Sequence, residues 1–224
     1  GGSHLNWVLL GQRLRETHRV YALDLAGFGF TRMTEELPAS VGHNAKLVRR
    51  FVTEVVGEPV VLIGNSMGGL ISVMVASREG APVRGLVLID PALPAPRGRP
   101  DAQAISLFTL LGAPVRRAIR TRRGRPVSIA AEVAAVLRIC FARWDRLDEE
   151  VFEAHVELAK AQRGYRELNA AFKVAGRTMI EALARRGAVR RRRAAVDLPV
   201  LLVQGDRDRL VHVSAAPGAA RMTP

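Results

Sequence analysis

The sequence has almost no cysteine and no long apolar run. Cys140 is the only cysteine among 224 residues. A disulfide within the chain is therefore excluded, as is a metal site built from several thiolates. A single cysteine suits a reducing compartment, so we expect a cytoplasmic location. No apolar stretch is long enough to cross a bilayer, and we expect no membrane span.

Acidic and aromatic residues are also scarce. The chain has 21 Asp and Glu against 34 Lys and Arg, a net charge of +13, and only 5% aromatic residues. Nearly all of the positive charge is arginine. A basic balance can indicate nucleic acid or an acidic membrane as a partner. The arginine runs lie in Ala- and Leu-rich helical stretches without interleaved aromatic residues, however. We interpret them as solvated helix faces and linkers and expect no nucleic-acid partner; an arginine-rich lid that docks on nucleic acid or an acidic membrane is the alternative.

Strand and helix patterns alternate along most of the chain, and 48% of the residues are apolar. An amphipathic helix is predicted from about Ser40 to Val56, with one apolar face formed by Val41, Ala45, Val48, Val52 and Val55. An apolar helix is predicted from Met67 to Glu79, with Gly80 as a C-cap. Alternating strands and helices predict an α/β fold with a mostly parallel sheet and flanking helices. Compact apolar runs that end at Gly, Asp or Asn predict four buried strands: Arg19 to Asp24, Pro59 to Gly64, Val83 to Asp90 and Pro199 to Gly205.

A helical block interrupts this alternation. It opens with a Pro- and Gly-rich linker, Pro91 to Pro100, and shows no strand pattern. We therefore predict a core domain over residues 1–91, a helical lid or cap over residues 92–196, and a continued, incomplete core over residues 197–224. The predicted lid helices are Ser128 to Arg143, Asp148 to Gln162 and Tyr165 to Arg186, with Asp148 as an N-cap.

The motif that carries chemistry is G-x-S-x-G, from Gly64 through Ser66 to Gly68. An apolar strand runs into it and an apolar helix follows, which is the setting of a nucleophile elbow. Gly64 and Gly68 leave room where side chains would collide, and Gly69 lets the helix approach the sheet. Ser66 would then be the nucleophile at a helix N-terminus, with the Met67 N–H as an oxyanion donor. The bland alternative is an unreactive glycine-rich turn.

With these residues the chain resembles the α/β-hydrolase superfamily. Gly1-Gly2 and Trp7 look like the end of the family's His-Gly oxyanion loop, which implies Gly2 or Ser3 as the second oxyanion donor. RVYALDLAGFGFT resembles the strand and "D-x-P-G-F-G-x-S/T" turn that follow, with Ala26 in place of the usual Pro. VRGLVLIDPALP resembles the next strand and the entrance to the lid, a region that varies across such enzymes.

The resemblance also implies a triad acid. PVLLVQGDRDRLVHVSAA is similar to the family's "G-x-x-D-x-x-V-P" segment, in which Asp208 aligns with the acid and His212 replaces the Pro. Asp90 is a possible alternative acid, because some relatives place it after that strand. Asp24 is expected to order its own turn. No metal or organic cofactor is implied.

The resemblance does not identify a catalytic base within this chain. The family's histidine follows one more strand downstream of the acid, and this chain ends at Pro224. A sheet with incomplete flanks would expose unpaired strand edges, so we expect the sequence to be part of a longer hydrolase. We expect a structural or solvent-facing role for each of the five histidines: His4, His18, His43, His155 and His212. Of these, His212 and His4 are the leading alternative bases.

The function implied is a serine hydrolase acting on a carboxylic ester or related acyl substrate. Serine at the elbow argues against epoxide hydrolases and haloalkane dehalogenases, which use Asp there. The elbow is also similar to that of carbon–carbon bond hydrolases of ring-fission products, and a catalytically inactive ligand-binding protein is a further alternative. The sequence does not fix the oligomeric state. Apolar lid residues suggest a small, hydrophobic substrate: Leu107, Phe108, Leu110, Leu111, Phe141, Trp144 and Phe152.

Overall fold

The computed structural model of the chain describes residues 2–94, 121–122, 125–208 and 211. The chain divides into two compact units. The helical unit comprises Gly1–Ala39 and Leu111–Val174, and the sheet unit comprises Ser40–Leu110 and Ala175–Pro224. The division into a core and a lid at residues 92 and 196 stays a prediction.

The elements of the described residues follow in chain order. The strands are β1 (Val60–Asn65), β2 (Val83–Ile89), β3 (Thr121–Arg122), β4 (Arg125–Pro126) and β5 (Val200–Val203). The helices are α1 (Val8–Leu14), α2 (Val41–Phe51), α3 (Met67–Ala76), α4 (Ile129–Cys140), α5 (Glu149–Ala161), α6 (Leu168–Ala184) and α7 (Arg186–Ala194). Among the described residues, no helix is both long and apolar enough to cross a membrane.

The sheet unit is built on a parallel sheet in the order β1-β2-β5. The register pairs Asn65 with Ile89 and Ile89 with Val203, so all three carboxyl ends lie at one edge of the sheet. Helix α3 packs on β1 and β2, and α2 packs on α3. The predicted α/β fold with a parallel sheet and flanking helices is confirmed.

The first predicted strand is wrong. Arg19 to Asp24 has no strand assignment, and the side chains of Val20 and Tyr21 are exposed. A strand is defined by its hydrogen bonds to a neighbouring strand, so an apolar run forms a strand only beside a partner strand. The described residues provide no partner strand for Arg19 to Asp24. The reverse error occurs in the helical block, where β3 and β4 form a two-residue antiparallel pair.

Helix α2 follows its predicted apolar face for most of its length. The hydroxyl of Ser40 caps it by accepting the His43 N–H at 3.2 Å. The predicted positions from Val41 to Val52 are buried, but Val55 is 63% exposed. The reason is a π turn, Val52–Val56, closed by a bond from Gly57 N–H to the Val52 carbonyl. The wider turn shifts the side-chain phase and carries Val55 off the apolar face.

Two other helix boundaries differ from the prediction. Helix α3 ends at Ala76 with Ser77 as its C-cap, while Gly80 lies in the following turn with φ +63°. The predicted Tyr165 to Arg186 helix corresponds to α6, Leu168–Ala184, and a separate helix, α7, begins at Arg186 after a break at Arg185.

Candidate nucleophile elbow and acidic edge

Ser66 lies between the end of β1 and the first residue of α3, in the strand–turn–helix setting that the sequence predicts. Its backbone has φ 51° and ψ −117°. A non-glycine residue with positive φ is strained by about 1 to 3 kcal/mol and persists only where its surroundings fix it. Such strain is typical of functional sites, which directs attention to the Ser66 side chain.

Backbone hydrogen bonds fix Ser66 in this conformation. Its N–H donates to the Ile89 carbonyl at 3.0 Å, and its own carbonyl accepts from Ala92 N–H at 2.9 Å and from Gly69 N–H at 3.0 Å. The strand β2 and the segment after it therefore hold the turn from one side, and α3 holds it from the other. The Ser66 hydroxyl has no hydrogen-bond partner among the described residues, so it is available for chemistry.

The glycines around Ser66 have different roles. A Cβ on Gly64 would lie 2.5 Å from the Gly68 carbonyl oxygen, and one on Gly69 would lie 2.7 Å from Cβ of Pro91. Both positions need glycine because backbone or a rigid ring lies against them. A Cβ on Gly68 would meet no described atom within 4 Å. The expected collision at Gly68 is therefore absent, and the close approach belongs to Gly64 and Gly69.

The two predicted oxyanion donors lie in different units of the chain. Met67 is the first residue of α3. The first amide groups of a helix have no hydrogen-bond partner within the helix. In the helical unit, the Ser3 N–H donates to Oδ1 of Asn6 at 3.0 Å. That bond occupies the Ser3 amide, so Gly2 is the better candidate of the two residues considered. The role of Gly2 stays a prediction.

Asp90 and Asp208 follow the other two strands at the same edge of the sheet. Asp90 comes directly after β2 with a strained φ of 42°. Its N–H donates to the Val203 carbonyl at 2.9 Å, and its Oδ1 accepts the Gly205 N–H at 2.7 Å. Oδ1 of Asp208 accepts the Val211 N–H at 3.0 Å. Asp90 thus ties the end of β2 to the segment after β5.

The Asp90 carboxyl has an altered pKa. Burial raises the pKa of Asp90, and the nearby Asp208 carboxylate raises it further, against the opposing effect of the Gly205 amide. Negative charge therefore gathers at the sheet edge that also carries the strained Ser66, and a carboxylate there can orient a base and stabilise its protonated form. Among the described residues, no cluster of His, Cys, Asp and Glu could hold a metal ion.

The sequence profile of the alpha/beta hydrolase family matches residues 1–223. The chain belongs to the alpha/beta hydrolase family. This assignment covers the strand–turn–helix segment with Ser66 and the strand that leads to Asp208.

The chain is similar to hydrolases of more than one kind. The chain is 38% identical over 98 residues to protein phosphatase methylesterase 1 from Bos taurus, covering 40% of this chain and 26% of that protein. It is 36% identical over 94 residues to 2-hydroxymuconate semialdehyde hydrolase from Pseudomonas sp. (strain CF600), covering 39% of this chain and 31% of that protein. The chain therefore aligns with about a quarter to a third of these curated relatives.

A solved structure resembles the whole chain. The meta-cleavage product hydrolase from Pseudomonas fluorescens IP01 matches with a TM-score of 0.74 and 21% identity, covering 100% of this chain and 75% of that one. At this identity the likeness shows the alpha/beta hydrolase fold.

The described histidines of this hydrolase-family chain have separate surroundings. Nδ1 of His18 lies 2.8 Å from the Thr17 hydroxyl, and Nδ1 of His155 lies 2.7 Å from the Val151 carbonyl. His43 lies in α2. His212, one of the two alternative bases, lies outside the described residues.

His4 is part of a cluster around Asp24 that the sequence reasoning saw only in part. Nδ1 of His4 lies 2.9 Å from Oδ2 of Asp24, and the His4 N–H donates to Oδ1 at 2.7 Å. Asp24 also accepts the Phe30 N–H at 2.9 Å, as expected for a residue that orders its own turn. A Cβ on Gly29, with φ +55°, would lie 2.0 Å from the Asp24 carboxyl carbon. The D-x-x-G-F-G spacing was the available signal, but only coordinates show that Asp24 also holds the segment around His4.

Proposed function

We propose that this chain is the greater part of a serine hydrolase that cleaves a carboxylic ester or a related acyl substrate, with Ser66 as nucleophile. The observation that carries the proposal is the strained backbone of Ser66 with its unengaged hydroxyl, at the junction of β1 and α3. The family membership supports the same chemistry, because this strand–turn–helix arrangement presents the nucleophile of such enzymes.

The proposed reaction is acyl transfer to water. The Ser66 oxygen attacks the substrate carbonyl carbon while a histidine takes the hydroxyl proton and passes it to the leaving alcohol. The Met67 N–H stabilises the negative oxygen of the tetrahedral intermediate, and the family resemblance implies the Gly2 N–H as the second donor. Water, activated by the same histidine, then releases the acid from Ser66. The histidine is the one that the sequence analysis expects downstream of Asp208, so activity is tested on the full-length protein.

The sheet geometry supports Asp208 rather than Asp90 as the acid. Neighbouring strands are about 4.8 Å apart, so β5 lies roughly 10 Å from β1 and β2 lies about half as far. A histidine between Ser66 and the acid makes a hydrogen bond at each ring nitrogen, and each bond adds about 2.8 Å to the width of the ring. This arrangement fits the distance from β1 to β5 far better than the shorter distance from β1 to β2.

The choice of acid is tested by two matched variants. Asp208→Asn is expected to lower kcat by roughly 10³- to 10⁴-fold, as expected when the orienting carboxylate is lost. Asp90→Asn retains an oxygen that can accept the Gly205 N–H, and it is expected to keep kcat within about tenfold of the wild type. The opposite ranking would assign the acid role to Asp90.

Ester cleavage is tested directly by turnover of short-chain p-nitrophenyl esters, with Ser66→Ala as the inactive control. Hydrolysis by the wild type that disappears in the variant supports the proposal. Ligand-induced stabilisation without any turnover would instead favour the catalytically inactive binding protein. The hydrophobic nature of the acyl group is part of the proposal, and esters with longer acyl chains are expected to have a lower KM than acetate esters.

A carbon–carbon bond hydrolase is the second candidate. The observation in its favour is the 36% identity over 94 residues to 2-hydroxymuconate semialdehyde hydrolase. A dienoic ring-fission product, assayed beside the p-nitrophenyl ester, separates the two functions by their kcat/KM values. A cytoplasmic location stays a prediction from the single cysteine.

A further inference from the structure

A concavity of the sheet unit lies away from Ser66. It has a volume of about 670 Å³ and is lined by residues of α2, the end of α3 and α7. Helix α3 begins at the elbow, whereas Arg78 follows its other end. Ten helical residues extend about 15 Å, so this concavity and the Ser66 hydroxyl are separate sites. We call it the basic groove.

Positive charge is the shared property of the basic groove. Five cationic side chains line it, and no aspartate or glutamate is among its described lining residues; the five are Lys46, Arg49, Arg50, Arg78 and Arg192. Lys46, Arg49 and Arg50 are spaced three and four residues apart, which places them on one face of α2. The cationic lining residues therefore come from three elements, in contrast to a single solvated helix face.

Most of these charges lack a counter-ion in the part of the chain that the structure describes. Nε and Nη2 of Arg50 each donate to a carboxylate oxygen of Glu54 at 3.0 Å. The other four cations have no ion-pair partner among the described residues. Like charges around one concavity repel each other, and an anion bound between them relieves that repulsion.

The remaining lining limits the class of anion. Guanidinium groups match phosphate oxygens through paired N–H donors, so arginine favours phosphate. Most of the lining surface is nevertheless apolar, with Ala45, Met74 and Val75 among its residues, and no Phe, Tyr or Trp is among the described residues of the lining. An aliphatic group suits such a surface better than a nucleobase, which binds by stacking on aromatic rings. The volume is also in the range of small-molecule sites, about 300 to 1,000 Å³.

We propose that the basic groove binds a small phosphorylated molecule that carries at least two phosphate groups beside a short aliphatic part. The proposal is independent of the Ser66 chemistry, since none of the groove residues belongs to the elbow or the acidic edge. It assigns a ligand site to the outer helices of the sheet unit.

Calorimetric titration tests the proposal with inorganic pyrophosphate and butyl diphosphate as probes, in buffer of physiological salt. We expect saturable binding of one molecule per chain, with butyl diphosphate tighter than pyrophosphate because the butyl group contacts the apolar lining. The groove variant combines Arg49→Gln, Arg78→Gln and Arg192→Gln. It is expected to weaken binding by at least about tenfold, as the loss of charge-assisted hydrogen bonds predicts.

The matched control removes the same charge elsewhere in the sheet unit. It combines Arg177→Gln, Arg190→Gln and Arg191→Gln, three exposed arginines that are not among the groove lining. The control is expected to bind both probes like the wild type. Equal loss in both triple variants, wild-type affinity in the groove variant, or no binding to the wild type would each overturn the proposal.

Two further measurements keep the result interpretable. Thermal unfolding establishes that each variant is folded, and if the groove triple variant is not, Arg78→Gln and Arg192→Gln are used singly with a weakening of about threefold expected from each. A single-stranded oligonucleotide is titrated in parallel. Tighter binding of the oligonucleotide than of butyl diphosphate, lost in the groove variant, would overturn the small-molecule proposal in favour of nucleic acid.

Discussion

Ser66 and Asp90 share an unusual backbone: each has a positive φ, and each directly follows a strand of the parallel sheet. Hydrogen bonds from neighbouring strands hold both residues, through the Ile89 carbonyl in one case and the Val203 carbonyl in the other. Strain is therefore concentrated at the one edge where Ser66 and the carboxylates lie. Sequence reasoning located both residues but could not distinguish a strained turn from a relaxed one.

The elbow glycines give a prediction that separates a position where a side chain would collide from one that only belongs to the G-x-S-x-G motif. Gly64→Ala is expected to destabilise the fold by about 1 to 3 kcal/mol, because the new methyl group meets the Gly68 backbone. Gly68→Ala, one turn away with open space, is expected to leave the free energy of unfolding unchanged or to raise it by up to about 1 kcal/mol. Urea denaturation measures both, and equal destabilisation by the two variants would contradict the described packing.

Asp90 gives a prediction about pH. Its pKa is raised above the ordinary value of 3.8 by burial and by Asp208, so the folded protein binds this proton more readily than the unfolded chain does. The free energy of unfolding therefore falls as the pH rises from about 3.8 through the raised pKa, and the loss is complete above it. Asp90→Asn removes this loss, so the variant is expected to gain stability relative to the wild type across that window.

Asp145→Asn is the control for this measurement. The hydrogen-bonded Arg143 lowers the pKa of Asp145, so its carboxylate contributes stability that is present above the ordinary pKa and lost as the pH falls through the lowered one. Neutralising it is therefore expected to act in the opposite direction. Urea denaturation from below pH 3.8 up to neutral pH compares the two. A pH-independent difference for Asp90→Asn would be evidence against its raised pKa.

Among the elements, local signals decided how well each boundary was predicted. Asp148 was predicted as an N-cap, and its Oδ1 accepts the Glu150 N–H at 2.9 Å and the Val151 N–H at 3.3 Å. Caps depend on neighbours in sequence, so the sequence suffices for them. The π turn after Phe51 and the missing strand at Arg19 to Asp24 depend on tertiary partners, which periodicity does not report.

Helix α5 gives a prediction at this scale. Asp148→Ala is expected to lower the free energy of unfolding by about 1 kcal/mol, since two amides of the first turn lose their acceptor. Asp148→Ser keeps a capping oxygen and is expected to retain most of that stability. Thermal unfolding compares the three proteins, and a stability of Asp148→Ala equal to that of the wild type would show that the cap contributes nothing.

For the molecule as a whole, the sequence predicted the fold class well and the assembly of the site only in part. Parallel strands that alternate with helices bring Ser66, Asp90 and Asp208 to one sheet edge by topology alone, which is why one motif and two strand ends sufficed. The Asp24 cluster with His4 and the basic groove each join segments distant in sequence. Such convergence depends on packing and has no periodic signature in the chain.

The central claim is that Ser66 is an activated nucleophile, and covalent labelling of the full-length protein with a fluorophosphonate tests it most directly. Mass spectrometry is expected to find one phosphonyl adduct on the peptide containing Ser66. Ser66→Ala should lose the adduct, whereas Ser77→Ala, at the far end of α3, should keep it. A folded protein that remains unlabelled, or one labelled at another serine, would contradict the account.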